Sequence, residues 1–286
     1  MEIKRVNVRG HSFLQPLKEL AHAPESLFLK GRLPMDRQPV VAIVGSRKPT
    51  SYGKEITFKL AYDLAKRGVI IVSGLAYGVD AVAHKGALEA GGTTIAVLAN
   101  GLDTIYPVSH TKLASDILKN GGALLSEYPP ETSARQFQFL ARNRIVSGLA
   151  DAVIVTEAGE RSGTLSTVNH ALDQNKEVFA VPGNITSLLS IGPNRLIQQG
   201  ASPVLKADDV LEIIAPHLLD AQTTPALGSN PAEISIIQLL EEGKRDGDTL
   251  LKESGLNTSE FATALTMLEI NGTIRSIGPN QWSVQS

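Results

Sequence analysis

The residues best placed to do chemistry are cations at turns. Arg47 and Lys48 follow an apolar run, and Arg142 and Arg144 flank Asn143. Arg161 precedes Ser162-Gly163-Thr164, and Arg195 follows Gly192-Pro193-Asn194. Several guanidinium groups set among backbone amides suit a row of phosphates better than one small cofactor. Phe137, Phe139 and Tyr106 lie on nearby segments. Aromatic faces interleaved with cations are the stacking-plus-charge arrangement that holds single nucleic-acid strands. At least one of the two phenylalanines is expected in ordinary core. Arg142 and Arg144 are two residues apart, so on a helix they point in different directions and one of them faces the ligand.

Small polar residues recur after the apolar runs. They are Gly45-Ser46, Ser73-Gly74 (with Tyr77 and Gly78 following), Asn100-Gly101, Ser126-Glu127-Tyr128, Ser162-Gly163-Thr164 and Pro182-Gly183-Asn184. Such residues let phosphate oxygens approach backbone N–H groups at helix N-termini. Other chemistries find less support. The chain has no Cys, and its six His never stand three to five residues apart, so neither a thiolate nor a zinc motif is expected. Neither G-x-G-x-x-G nor the P-loop pattern occurs, so no nucleotide cofactor is expected. Asp80 and His84 are four apart on a predicted helix and are expected to form a structural hydrogen bond. Glu127 and Glu157 are read as ending adjacent strands, as acid or base or as holders of the arginines. No catalytic residue and no metal ligand is assigned.

The elements that must position these residues alternate in type. VVAIVG (40–45), VIIVSG (69–74), TIAVLANG (94–101), ALLSEY (123–128), AVIVTEA (152–158) and VFAVPGN (178–184) have the length and β-branched content of strands buried on both faces. Amphipathic stretches at 53–67, 79–90 and 163–175 intervene. Alternation of this kind predicts an α/β domain, an extended Rossmann-like, doubly wound, mostly parallel sheet, over residues 39–219. Ligands of such sheets bind at the carboxyl ends of the strands, where strand order reverses. Residues 1–38 read as a lead-in packed on that domain, with a helical turn at 17–21 and a short edge strand at 26–31.

The 286 residues carry a formal charge of −2, with 42% apolar and 20% charged residues, the profile of a globular chain. The near-neutral total hides an asymmetry. Residues 229–286 hold four basic and eight acidic residues, whereas residues 1–228 are net basic by two. The Thr-, Pro-, Gly- and Ala-rich stretch 220–231 reads as a linker. Beyond it, 233–243, 248–255 and 258–272 read as three helices, the last capped at Thr258, and 273–285 as two β-like runs around Gly-Pro-Asn. This predicts a small C-terminal winged-helix domain over 232–286. Its third helix has Glu260 and Glu269 and no cation, so protein contact is favoured over phosphate contact. No apolar run approaches a membrane span, and the first residues lack the apolar stretch of a signal peptide, so a cytoplasmic protein with no membrane partner is expected.

Taken in order, these motifs resemble the bacterial DprA (Smf) family of DNA-processing proteins. The resemblance rests on Gly45-Ser46-Arg47, Ser73-Gly74-Leu75-Ala76-Tyr77-Gly78-Val79-Asp80, Gly101-Leu102-Asp103-Thr104-Ile105-Tyr106-Pro107, Arg142-Asn143-Arg144-Ile145, Ser162-Gly163-Thr164-Leu165, Val181-Pro182-Gly183-Asn184 and Gly192-Pro193-Asn194. It covers roughly residues 13–215. The resemblance implies a homodimeric protein that binds single-stranded DNA cooperatively and protects incoming strands during natural transformation. It also implies delivery of those strands to RecA with displacement of single-strand-binding protein, and no catalytic turnover.

Carried over by position, Arg47 is the main phosphate-binding arginine. Ser46, Gly74, Ser162, Gly163 and Thr164 form anion-binding walls, and Asn143 with Arg144 belong to the family's Arg-Asn-Arg element. The expected DNA-binding set is completed by Gly45, Lys48, Ser73, Tyr77, Gly78, Asn100, Gly101, Lys112, Phe139, Arg142, Arg161 and Asn194. Many relatives carry a cation just after the Tyr-Pro pair. Val108 stands there in this sequence, and Lys112 is the next cation available. The rival resemblance is to LOG-type nucleoside monophosphate phosphoribohydrolases, whose motif is Pro-Gly-Gly-x-Gly-Thr-x-x-Glu. Thr167 occupies the place of that glutamate, so the acid of that chemistry is missing.

Overall fold

The computed structural model describes residues 2–219 and 230–284. They fall into two units, Met1–Leu219 and Asp220–Ser286. In the first unit the strands are β1 (Lys4–Asn7), β2 (Ser26–Gly31), β3 (Val40–Val44), β4 (Ile70–Ser73), β5 (Thr94–Leu98), β6 (Ala123–Ser126), β7 (Ala152–Val155), β8 (Glu177–Ala180) and β9 (Ser202–Pro203). The α-helices are α1 (Ser51–Lys66), α2 (Val79–Glu89), α3 (Thr111–Lys119), α4 (Gln136–Leu149), α5 (Thr164–Asp173), α6 (Ile191–Gln198) and α7 (Ala207–Ile214). The strands form one sheet in the order β1-β2-β6-β5-β4-β3-β7-β8-β9. From β3 to β9 each neighbouring pair among β3–β9 is parallel, and only β1–β2 and β2–β6 are antiparallel. The doubly wound, mostly parallel sheet expected from the alternation is present.

Side-chain alternation along β3 explains the two helical layers. Val40, Ala42 and Val44 point into one buried cluster with Ile145, Val146 and Leu149 of α4. Val41 and Ile43 point into another with Leu60, Ala61 and Leu64 of α1 and Val79 and Ala83 of α2. A strand with both faces covered needs apolar side chains at every position, and β3 is buried throughout. Helix α1 begins where the Thr50 hydroxyl accepts from Gly53 N at 3.0 Å. The chain leaves it at Gly68, whose φ of +86° suits a residue without Cβ.

The lead-in is more deeply built in than the sequence suggests. Residues 26–31 are not an edge strand: β2 lies between β1 and β6, and β1 forms the edge. A 3-10 segment over Ser12–Glu19 buries Phe13, Leu14 and Leu17 completely, in the same cluster as α4.

The second unit consists of α8 (Pro231–Glu241), α9 (Gly247–Ser254), α10 (Thr258–Ile270), β10 (Ile274–Gly278) and β11 (Gln281–Val284). Ile236, Ile237, Leu240, Leu250, Phe261, Leu265, Leu268 and Ile274 form its core. The third helix is capped by Asn257, not by Thr258. Asn257 Oδ1 accepts from Ser259 N at 3.1 Å and Glu260 N at 2.9 Å. The expected linker 220–231 lies outside the described residues apart from Asn230 and Pro231. These two cap and open α8.

Candidate nucleic-acid interface

From β3 the chain steps outward through β4, β5 and β6, then returns to lay β7 on the other side of β3. Strand order therefore reverses between β3 and β7, and a crevice opens there at the carboxyl ends. A cavity of about 620 Å³ occupies it. Val44, Gly45 and Arg47 line it from the end of β3, and Gly74 and Ala76 from the end of β4. Tyr106 contributes from the loop after β5. Gln136, Phe139, Leu140, Arg142, Asn143 and Val146 contribute from α4, with Ala134 just before that helix. Ser162, Gly163, Thr164 and Thr167 line it from the start of α5, and Asp80 from α2.

The wall carrying Arg47 combines charge and aromatic surface. The Arg47 side chain is exposed, and its guanidinium carbon lies 5.5 Å from the centre of the Phe139 ring. Tyr106 lies beyond, with ring centres 5.6 Å apart and planes at 54°. An exposed cation over a ring is worth about 0.5–1 kcal/mol, enough to bias Arg47 toward one orientation while its N–H donors remain available. At the start of α5, the Ser162 hydroxyl accepts from Thr164 N at 3.2 Å and donates to Thr164 Oγ1 at 3.0 Å. Leu165 N and Ser166 N bond back to Ser162 O at 3.1 Å and Gly163 O at 3.2 Å, so the start of α5 is capped from within its own turn, and Gly163 at the N-cap position has no side chain to shield the backbone from the cavity.

The floor is a buried polar network. Arg142 Nη1 donates to Gly74 O at 2.6 Å and also to Val97 O. Asp80 Oδ2 accepts from Gly74 N at 3.0 Å and Ala76 N at 3.2 Å. The loop after β4 is thus pinned from both sides, its carbonyl by a cation and its amides by a carboxylate. A Cβ on Gly74 would lie 2.5 Å from the Arg142 guanidinium carbon, so only glycine admits that approach. Burial pushes the Asp80 carboxyl up, opposed by the charge of Arg142 and by the two amides. Burial likewise lowers Arg142, opposed by Asp80. Gly78, at φ +78°, would place a Cβ 2.6 Å from the Arg47 carbonyl carbon, which ties the turn before α2 to the Arg47 loop.

Of the expected set, the cavity gathers Gly45, Arg47, Gly74, Phe139, Arg142, Asn143, Ser162, Gly163 and Thr164. Ser46, Lys48 and Arg161 flank lining residues. The Ser46 hydroxyl accepts from Lys48 N at 3.1 Å, and Lys48 and Arg161 are exposed. Others hold the scaffold instead. Ser73 is buried and donates to Ile43 O at 2.7 Å. Asn100 is buried and donates to Gly101 O at 2.9 Å and Thr104 O at 2.8 Å. Asn194 makes a two-way bond with the Gly183 backbone. Tyr77 is exposed, takes the Ser109 hydroxyl at 3.2 Å and stacks edge-on to His110. Lys112 is exposed on α3, which lends no residue to the cavity.

The two arginines of the Arg-Asn-Arg element do diverge. Arg142 goes to the floor, whereas Arg144 lies off the cavity and pairs with Glu127 at 2.7 Å.

Three expectations need correcting. Asp80 and His84 do not bond: His84 Nδ1 pairs with Thr94 Oγ1 at 2.7 Å. Burial, with the charges of His110 and Arg142, lowers the His84 imidazole to about 3, so it is neutral. Glu127 and Glu157 do not end adjacent strands, because β5, β4 and β3 separate β6 from β7. Glu127 does hold an arginine, but Glu157 accepts from Thr50 N at 2.8 Å and Thr50 Oγ1 at 2.6 Å and so fixes the start of α1. Neither phenylalanine is core: Phe139 lines the cavity and Phe137 is 62% exposed.

The sequence reading missed Val44, Ala76, Ala134, Gln136, Leu140, Val146 and Thr167 as lining, and Asp80 as part of the floor. The spacing 136, 139, 140, 143 is a one-sided helical stripe and was the available signal.

Residues 6–215 match the family model for DNA recombination-mediator protein A, and residues 220–278 match that of the DprA winged helix domain. Protein Smf of Escherichia coli (strain K12) is 39% identical over 262 residues, which are 89% of this chain and 70% of that protein. The chain spans between 50 and 70% of the length of the curated relatives it matches. Among solved structures, DNA processing protein A of Streptococcus pneumoniae superposes with a TM-score of 0.69 at 40% identity, covering 75% of each chain. DNA processing protein A of Helicobacter pylori, studied for its single-stranded DNA binding mode, gives a TM-score of 0.67 at 32% identity, covering 77% of this chain and 97% of that one. With both units matched and the switch-point crevice built from the same ordered motifs, the chain belongs to the DprA family of DNA recombination mediators.

Proposed function

We propose that this chain binds single-stranded DNA in the cavity between β3 and β7 and acts as a recombination mediator. In that role it protects incoming strands during natural transformation or recombination and loads RecA onto them. The observation that carries this reading is an exposed guanidinium, with no carboxylate partner among the described residues, on an aromatic face of the cavity that also holds the Ser162-Gly163-Thr164 turn. Arg47 and the backbone N–H groups of Ser162 and Gly163 neutralise phosphate oxygens, and a base stacks on Phe139 and Tyr106. The Asp80–Arg142 network holds the β4 loop at the height that lets the backbone meet the strand. A homodimer repeating the cavity would coat the strand, displace single-strand-binding protein from it and hand it to RecA. The Helicobacter pylori relative supports a single strand as the ligand.

Binding without turnover fits the cavity. Its one buried carboxylate, Asp80, is spent on two amides, and Thr167 lines the wall at the position where a phosphoribohydrolase needs a glutamate. The test is affinity for a labelled single strand and its duplex across a salt series. The single strand should be preferred, with log affinity falling about 0.7 per neutralised phosphate for each log unit of salt. Arg47→Ala should weaken binding by about 1.5–3 kcal/mol. Equal affinity for duplex, or an Arg47→Ala variant indistinguishable from wild type, removes the cavity as the site. RecA filament formation on a strand pre-coated with single-strand-binding protein then tests the loading step, which is rejected if the chain does not accelerate it.

A further inference from the structure

We infer that Glu157, just past the end of β7, is a positioning residue for Arg47: it holds the loop that carries the guanidinium. The inference deepens the single-strand reading above and rests on it. Between the end of β3 and the start of α1 the chain makes one short loop, and Glu157 grips it at both ends. Near the beginning, Ser46 N donates to the Glu157 carbonyl at 2.6 Å. At the end, Thr50 N donates to Glu157 Oε2 at 2.8 Å and the Thr50 hydroxyl to Oε1 at 2.6 Å. Only Arg47, Lys48 and Pro49 lie between those anchors. The ring of Pro49 fixes its φ, and Lys48 N donates to the Ser46 hydroxyl at 3.1 Å. The segment that presents Arg47 to the cavity therefore keeps little backbone freedom.

Glu157 is 2% exposed, and among the described residues no Lys or Arg lies within ion-pair distance of its carboxylate. A carboxylate buried without a cation is costly, and here each of its oxygens is satisfied from Thr50. Two glycines are fitted to the residue. A Cβ on Gly53 would collide with the Glu157 carboxylate, and one on Gly45 would lie 2.8 Å from the Glu157 carbonyl oxygen. The 5.5 Å approach of the Arg47 guanidinium to Phe139 joins this loop to a ring carried by α4, so it lasts only while the loop keeps its place. A negative charge beside the Arg47 loop repels a phosphate, so charge alone makes Glu157 a hindrance to binding, whereas its grip on the loop makes it a help. The two effects have opposite signs, and a substitution reads which one prevails.

The experiment is single-strand affinity across a salt series for the full chain and for Glu157→Ala, Glu157→Gln, Arg47→Ala and the two double variants, each checked for cooperative urea unfolding. Glu157→Ala should lower affinity about tenfold and reduce the salt slope by up to about 0.7, although it removes a negative charge. Glu157→Gln keeps the shape and one acceptor oxygen, so its loss should be about threefold. In the Arg47→Ala background both substitutions should change affinity by less than about twofold, because no guanidinium is left to position. A role confined to the scaffold would cost as much without Arg47 as with it, and that result overturns the inference. So does a Glu157 variant that binds as tightly as wild type or more tightly. If Glu157→Ala does not fold, Glu157→Gln and its double variant decide. An impaired Arg47→Ala beside a Glu157→Gln that matches wild type removes this inference and leaves the cavity reading standing. If Arg47→Ala itself binds like wild type, both fail.

Discussion

Two surfaces of this chain stand where nucleic-acid binders place cations, and they differ in chemistry. At the strand ends of the sheet, Arg47 is exposed and unpaired among the described residues, beside an aromatic ring and in one cavity with the Ser162-Gly163-Thr164 turn. On the third helix of the winged-helix unit, Ala262, Thr263, Thr266, Met267 and Ile270 are exposed, with Glu260 and Glu269 beside them and no Lys or Arg from 258 to 270. Lys244 in that unit is already spent on Glu242 and Glu253. The total charge of −2 describes neither surface. What distinguishes them is whether a cation is left free by its own fold, since a phosphate competes with any carboxylate that reached the guanidinium first.

The largest effect is expected from the cavity floor. Arg142→Ala removes a buried guanidinium and strands the Asp80 carboxyl and the Gly74 and Val97 carbonyls. Breaking a buried charge pair by deleting one partner typically costs about 3–5 kcal/mol. Urea unfolding should show that loss, with the first unit's transition moved to lower denaturant. Stability unchanged alongside lost DNA binding would mean that Arg142 reaches the ligand, and the division between a structural floor and a binding wall would then be wrong.

A smaller effect sharpens the contrast between the two surfaces. Phe139→Leu keeps an apolar side chain but removes the ring under Arg47 and the stacking face for a base. Stacking is worth about 1–3 kcal/mol per base, so single-strand affinity should fall by at least about fivefold with little change in salt slope. A changed slope with unchanged affinity would show that the ring serves only to orient the cation.

The fold was legible where its periodicity was clean, and less so where buried polar groups broke it. The six β-branched runs became β3 to β8, because strands covered on both faces must be apolar at every position. Helix α4 escaped assignment: Gln138, Arg142 and Ser147 are buried, so its polar residues do not mark a solvent face. The same feature hid part of the site. Arg142 reads as a DNA-binding cation in the sequence, and only the tertiary position of Gly74 and Val97 turns its guanidinium into the floor. Strand β2 read as an edge because no local signal announces that Lys4–Asn7 will pair outside it. Arg47 and Ser162–Thr164 were recoverable, since the residues after a buried strand sit at the carboxyl edge by topology alone.

The smallest effect is predicted for removing the acidic unit. The first unit has its own buried clusters, and every residue lining the cavity lies between Val44 and Thr167. Deleting residues 229–286 should therefore leave single-strand affinity within about twofold and the salt slope unchanged, since no neutralised phosphate is lost. The deleted segment is net negative by four, so any indirect effect should be a slight tightening at low salt from removed repulsion. Fluorescence anisotropy at two salt concentrations separates these outcomes. A large loss with a shallower slope would place phosphate contacts on Arg245, Lys252 or Arg275, and the winged-helix unit would then bind DNA in spite of the acidic face of its third helix.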